Sequence, residues 1–166
     1  MGLHIHAVTA AYPGSVSCPP EVCAGECVVY RAQFGLFVDT YRPVFFQREM
    51  PVFSRSHAYA GTPDWIAAVG GRVLIGDTKS GAPYPQVALQ LAGYRHAEFT
   101  IDASGRESPL PRCSGGVVLS LFPDRFELRD VRCDDTVFQA FLSLRSFHEH
   151  KARLEDAAIG AIHPVP

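Results

Sequence analysis

The sequence predicts an α/β protein with a mixed central β-sheet flanked by helices. Three observations lead there. The segments run helix, meander, helix, hairpin, helix, a mixture of helical and extended periodicities. Gly70-Gly71 separates two apolar-rich runs, the mark of a tight hairpin turn. Directly downstream, Val87 and Leu91 recur at four-residue spacing behind Pro85, which suits a first helical turn.

Taken in order, residues 2–12 read as a helix ended by Pro13-Gly14, and 13–20 as a Pro-, Gly- and Cys-rich loop. A second helix runs from about Pro20 to Thr40. Strands are expected over 43–53, 58–69 and 72–79, then a helix over 84–98. Asp102 to Arg112 is a polar, proline-containing loop. Gly116–Phe122 and Arg125–Val131 read as strands joined by Pro123-Asp124. Asp134 or Asp135 caps a last helix reaching about Leu154, with Phe138, Phe141, Leu142 and Leu144 as its apolar face. The expected organisation is one domain over 1–154 and a C-terminal tail over 155–166, frayed from Ile159.

A chain of 166 residues suits one domain with a substantial core. Its 47% hydrophobic content and mean hydropathy of +0.04 are those of a globular protein. No apolar run approaches the ~18 residues that would span a bilayer, and no basic segment leads an apolar one at the N-terminus. A membrane partner is therefore not expected, and the cytoplasm is the expected compartment. Five cysteines (Cys18, Cys23, Cys27, Cys113, Cys133), an odd number without a signal segment, argue against a disulfide framework. A protein that wraps duplex along many phosphates is normally basic, whereas a net charge of −2 allows one that grips a few nucleotides.

With the turn centred on Gly70-Gly71, Asp64 falls opposite Asp77. Opposed residues share a face, with Cβ atoms roughly 4.5–5.5 Å apart. Two carboxylates at that distance repel, and a divalent cation between them removes the repulsion. Lys79 projects from the face of Asp77, and Thr78 from the other. Ile66, Ala68, Val73 and Ile75 share the acidic face, which starts as core under a helix and opens into a cleft. On the following helix Gln86, Gln90 and Tyr94 form one polar stripe.

These motifs resemble the PD-(D/E)XK nuclease superfamily, with Pro63-Asp64 as the first acidic motif and Asp77-Thr78-Lys79 as the second. Gln90 and Tyr94 match the Q-x-x-x-Y signature of its RecB-like branch, which includes phage and bacterial recombination exonucleases and CRISPR-associated nucleases. Gly2-Leu-His-Ile-His6 is similar to the G-x-x-[IV]-H segment of that branch. The resemblance covers roughly residues 1–150 and implies a restriction-endonuclease-like core. It implies hydrolysis of DNA phosphodiester bonds with Mg²⁺ or Mn²⁺, ions that prefer hard oxygen ligands. Asp64, Asp77 and the Thr78 carbonyl would hold the metal, with His6 as a further ligand. Lys79 would orient the attacking water or stabilise charge on the phosphate. Gln90 and Tyr94 would position Lys79 and contact nucleic acid, and Glu49 would lie nearby.

The implied substrate is DNA, at ends or in single strands, and the implied activity an exonuclease of recombination, repair or replication in a bacterial or phage-infected cell. A homo-oligomer or a recombination or replication partner would supply processivity. A structure-specific endonuclease, or a catalytically silent module binding nucleic acid or protein, is the alternative. Some RecB-like nucleases carry an iron–sulfur cluster on an early Cys and a compact trailing trio. Cys113 and Cys133 stand twenty residues apart with no third behind them, so a cluster is not expected. His148 and His150, two apart on a helix, share no face as a metal pair would, and His57 reads as a surface residue beside the catalytic strand.

Overall fold

The computed structural model describes residues 26–158 and residue 160. The expected helix over 2–12, the loop over 13–20, the first residues of the second helix and all of the tail but residues 155–158 and 160 lie outside the described residues. Among those described, three helices and nine strands form an α/β arrangement around a mixed sheet. No helix among them is long and apolar enough to cross a membrane.

Helix α1 (Glu26–Tyr41) presents Phe34 and Phe37 to the sheet, both buried. Burying each ring stabilises the fold by about 1.5–3 kcal/mol. The helix stops where Arg42 takes φ +46° ahead of Pro43, and the residue before a proline is driven out of helical geometry. The main sheet has the order β1 (Val44–Arg48), β4 (Trp65–Val69), β5 (Arg72–Ser80), β8 (Gly115–Leu121), β9 (Phe126–Val131). Only β5 and β8 run parallel, joined through α2 (Val87–Arg95). On one face, Trp65, Ala67, Val69, Leu74, Val117 and Leu119 pack with Phe34 and Phe37 of α1. On the other, Ile66, Ile75 and Val118 pack beneath Val87 and Leu91 of α2 and Phe138 of α3 (Asp135–Ala157). Asp134 caps α3, its carboxylate accepting from the Val137 N–H at 3.1 Å.

Two expected strands are each two strands. The run 43–53 divides at Glu49, whose φ of +46° turns the chain, and at Pro51, which has no N–H for a ladder. Its halves belong to different sheets: β1 pairs with β4, whereas β2 (Val52–Ser54) pairs with β3 (Tyr59–Gly61) and β6 (Phe99–Ile101). The run 58–69 divides at Thr62-Pro63 into β3 and β4. The helix expected over 84–98 ends at Arg95, and β6 follows. The loop expected over 102–112 contains β7 (Glu107–Pro109), paired with β6. The result is a second, four-stranded sheet ordered β3-β2-β6-β7.

Candidate active site

The site is built on the β4–β5 hairpin. Gly70 and Gly71 take φ of +56° and +78°, the conformation of a two-residue turn whose twist matches its strands. The register follows: Trp65 pairs with Gly76, Ile66 with Ile75 and Val69 with Arg72. Alternation then puts Asp77 and Lys79 on the face of Ile75, and Thr78 on the face of Trp65. Asp64 is not itself a strand residue, because β4 begins at Trp65. Its carboxylate instead accepts from the Thr78 N–H at 2.6 Å, where a ladder carbonyl would otherwise accept. Pro63 bears on the other half of the pair, because its carbonyl could accept but it lacks a donor. Continued two residues further, the register brings Thr78 opposite a proline, which has no N–H to give. The Thr78 carbonyl, on the same edge as its N–H, is thus offered no ladder donor there.

Both carboxylates are buried, Asp64 at 6% and Asp77 at 1% exposure. Burying a carboxylate is costly unless charge and hydrogen bonds compensate. At Asp77 that compensation comes from Lys79, whose ammonium lies 3.0 Å from Oδ1 and 2.9 Å from Oδ2. The Gln90 amide adds a donor to Oδ1 at 3.3 Å and another to the Tyr94 hydroxyl at 3.0 Å. The polar stripe of α2 therefore reaches Asp77, the carboxylate held by Lys79. Tyr94 lies close over β3, where a Cβ on Gly61 would meet its ring at 2.3 Å.

Beneath the site, on the opposite face, Trp65 crosses Gly76 so closely that a Cβ there would meet the indole at 2.2 Å. Its Nε1 donates to the Thr78 hydroxyl at 3.1 Å, which satisfies the buried indole. Thr78 is thus gripped by Asp64 through its N–H and by Trp65 through its hydroxyl. These two contacts fix the backbone between Asp77 and Lys79.

The donors suit a hard divalent cation: two buried carboxylates and a main-chain carbonyl at the end of one hairpin. Among the described residues, no three His, Cys, Asp or Glu side chains gather as a metal site. His6, the further ligand that the resemblance implies, lies outside them.

Glu49 is exposed, and its N–H donates to the Asp64 carbonyl at 3.0 Å, so it borders the site through its backbone. His57 and His96 both pack on Phe138. His96 stacks at 4.2 Å and bridges the Ala92 carbonyl and Asp135, tying α2 to α3. Cys113 and Cys133 are buried free thiols, and the Arg95 guanidinium donates to the carbonyls of both. Burial pushes the Cys113 thiol up to about 11. The other three cysteine side chains lie outside the described residues. Ser120, the register partner of Lys79, was not singled out by any motif. It is fully buried on the site face, and its hydroxyl has no hydrogen-bond partner among the described residues.

No protein-family model matches this chain, and no curated protein matches it. Among solved structures, one titled "Crystal structure of SSO0001" aligns at 13% identity and a TM-score of 0.42. The alignment covers 81% of this chain and 62% of that one, so the chain spans less than two thirds of that structure's length.

Proposed function

We propose that this protein is a metal-dependent deoxyribonuclease of the PD-(D/E)XK type, an exonuclease of the RecB-like branch acting on DNA ends. One observation carries the reading: Asp64, Asp77 and Lys79 converge at the end of one hairpin, with Gln90 and Tyr94 linked to the same carboxylate. The mixed sheet, with α1 on one face and α2 and α3 on the other, supports a restriction-endonuclease-like core.

Hydrolysis joins a water oxygen to phosphorus, breaks one P–O ester bond and delivers a proton to the departing oxygen. Magnesium or manganese, when bound, supplies the Lewis acidity that activates water and neutralises the phosphate. Asp64, Asp77 and the Thr78 carbonyl would hold the ion. Lys79 offers three N–H donors, which can orient the attacking water and steady a non-bridging phosphate oxygen. Gln90, fixed by Tyr94, holds Asp77 in place as Lys79 turns towards substrate. The net charge of −2 fits a grip on few phosphates and predicts weak binding of DNA when metal is withheld.

The test compares wild type with Lys79→Ala on 5′-labelled, 3′-labelled and circular DNA, in Mg²⁺, Mn²⁺ or EDTA. Metal-dependent loss of linear DNA with circles spared is expected, and Lys79→Ala should slow it about a hundredfold or more. Cleavage of circles would replace the exonuclease with a structure-specific endonuclease. A folded protein that cuts nothing would be a silent binding module.

A further inference from the structure

One hydroxyl inside the main sheet is buried without a partner. Ser120 is 0% exposed, and its Oγ makes no hydrogen bond among the described residues. An unpaired hydroxyl in that position costs stability that alanine or valine would keep. Its neighbours on β8, Val117, Val118, Leu119 and Leu121, are apolar and buried. They also fix the direction in which Ser120 points. Leu119 and Leu121 pack with Trp65 towards α1, and Val118 packs with Ile75 towards α2. Alternation along the strand therefore turns Ser120 towards α2, the face of Asp77 and Lys79.

Two side chains flank it at the same level of the sheet. On β9 its register partner is Glu127, whose carboxylate is taken at 2.9 Å by Arg125 and at 2.6 Å by Arg129. On β5 the register partner is Lys79. Neighbouring strands lie about 4.8 Å apart, so the flexible lysine stem can span the gap. An ammonium has only donors to offer, and a hydroxyl oxygen accepts one of them. In this structure the Lys79 ammonium is held instead by Asp77, at 3.0 and 2.9 Å. A divalent cation on Asp77 would compete for the same oxygens and repel the ammonium. Asp64 lies on the other side of β5 from Ser120, since the strand order is β4, β5, β8. An ion shared by the two aspartates thus drives Lys79 away from β4, towards β8 and the unpaired Ser120 hydroxyl.

We propose that Ser120 is a positioning residue for Lys79: its hydroxyl accepts from the ammonium once Asp77 is given up to a divalent cation. Lys79 is then held beside the site with its other donors aimed at water and phosphate, and does not swing loose in solvent. Ser120 touches no substrate, because it is closed to solvent, and acts only through Lys79. The proposal rests on the nuclease reading of Asp64, Asp77 and Lys79 for the metal and the phosphate, but the exchange of Asp77 for Ser120 needs no cleavage.

The sequence holds two lysines, Lys79 and Lys151, so protein labelled with [ε-¹³C]lysine gives two side-chain NMR signals, which Lys79→Arg assigns. Wild type, Ser120→Ala and Ser120→Cys are compared with and without Mg²⁺, and again with Asp77→Asn, which releases the ammonium without metal. In the metal-free proteins that keep Asp77, the Lys79 signal should coincide in all three. Mg²⁺ or Asp77→Asn should move it, to one position with Ser120 and to another with alanine or cysteine. A signal that stays in place, or moves alike in all three, would overturn the proposal. Melting temperature adds a readout of structure: metal-free Ser120→Ala should hold or rise by about 2–4 °C, and a fall of that size would make the hydroxyl structural. In cleavage, Ser120→Ala should lower kcat about tenfold with KM within about twofold. Ser120→Cys should share that loss, because sulfur fills the space but accepts weakly, and full activity there would leave only packing. No cleavage by wild type, beside an Asp77→Asn signal that depends on Ser120, would sink the nuclease reading alone. Robust cleavage beside a Lys79 signal indifferent to Ser120 would sink only the positioning role.

Discussion

Residues 76 to 79 alternate between the two faces of the main sheet, and each face meets its polar groups differently. Towards α1, Gly76 makes room for the Trp65 indole, whose N–H is taken by the Thr78 hydroxyl. Neutral donor and acceptor satisfy each other inside an aromatic core in which Phe37 lies 5.9 Å and Phe45 6.0 Å from Trp65. Towards α2, the same stretch buries the Asp77 carboxylate and calls on Lys79 and Gln90 to hold it. A fold seeking only stability would repeat the first solution, because apolar packing does as well as a buried ion pair or better. The difference separates what β5 does for the fold from what it offers to chemistry.

That contrast breaks most visibly at Trp65. Trp65→Ala should cost about 3–5 kcal/mol, the range for a large ring removed from a packed core. It would leave a cavity over Gly76 and strip the Thr78 hydroxyl of its donor. Urea unfolding followed by circular dichroism reads this directly, and a loss below about 1 kcal/mol would contradict the packing role.

Asp77→Asn should do the reverse. A buried negative charge disappears, and the ammonium left behind can turn to water, because Lys79 is 37% exposed. Stability without metal should hold or rise by about 0.5–2 kcal/mol, as at sites where function opposes stability. On the proposed nuclease reading, cleavage should fall about a hundredfold or more, and the rise in melting temperature expected of the wild type with Mg²⁺ or Mn²⁺ should be absent. Melting curves with and without metal decide it: a strongly destabilised apo variant would make Asp77 a structural residue.

The same contrast explains which features could be read in advance. The hairpin register was legible because two glycines punctuate a period-two pattern, and from it followed the shared face of Asp77 and Lys79. The stripe of Gln90 and Tyr94 was legible from helical spacing. The four-stranded sheet was not, since β2, β3, β6 and β7 have three residues each and carry almost no periodicity. Their pairings also join segments far apart in the chain, as Phe53 with Phe99. Pro63 was visible as a residue, but the bond beside it, from the Thr78 N–H to the Asp64 carboxylate, depends on where the partner strand lies. Ser120 carries no motif at all, and only the parallel register beside Lys79 brings it to the site face.

The second sheet supplies a carboxylate of the opposite kind, and with it the smallest predicted effect. Glu98 lies on the surface, yet its carboxyl is held down from the usual 4.5 to about 2, first by the Ser56 N–H and hydroxyl and then by the Ser54 hydroxyl. The Ser56 N–H and the Ser54 hydroxyl donate to the same oxygen at 3.0 and 2.9 Å, closing the β2–β3 turn onto the start of β6. A carboxyl with a folded pKa below its unfolded one binds fewer protons when folded. Its contribution is therefore complete above about pH 4.5 and lost as the pH falls towards 2. Glu98→Gln should lower the urea midpoint at pH 6, and the gap from wild type should narrow steadily between pH 4.5 and 2. Asp102, Glu127 and Asp134 are also held below their usual range and titrate in both proteins, so the difference between the two curves isolates Glu98. A gap that stays constant through the acid range would mean that the serines hold the side chain for its shape and not its charge. A gap that closes would make Glu98 an acid whose charge serves the fold, the opposite of the outcome expected for Asp77.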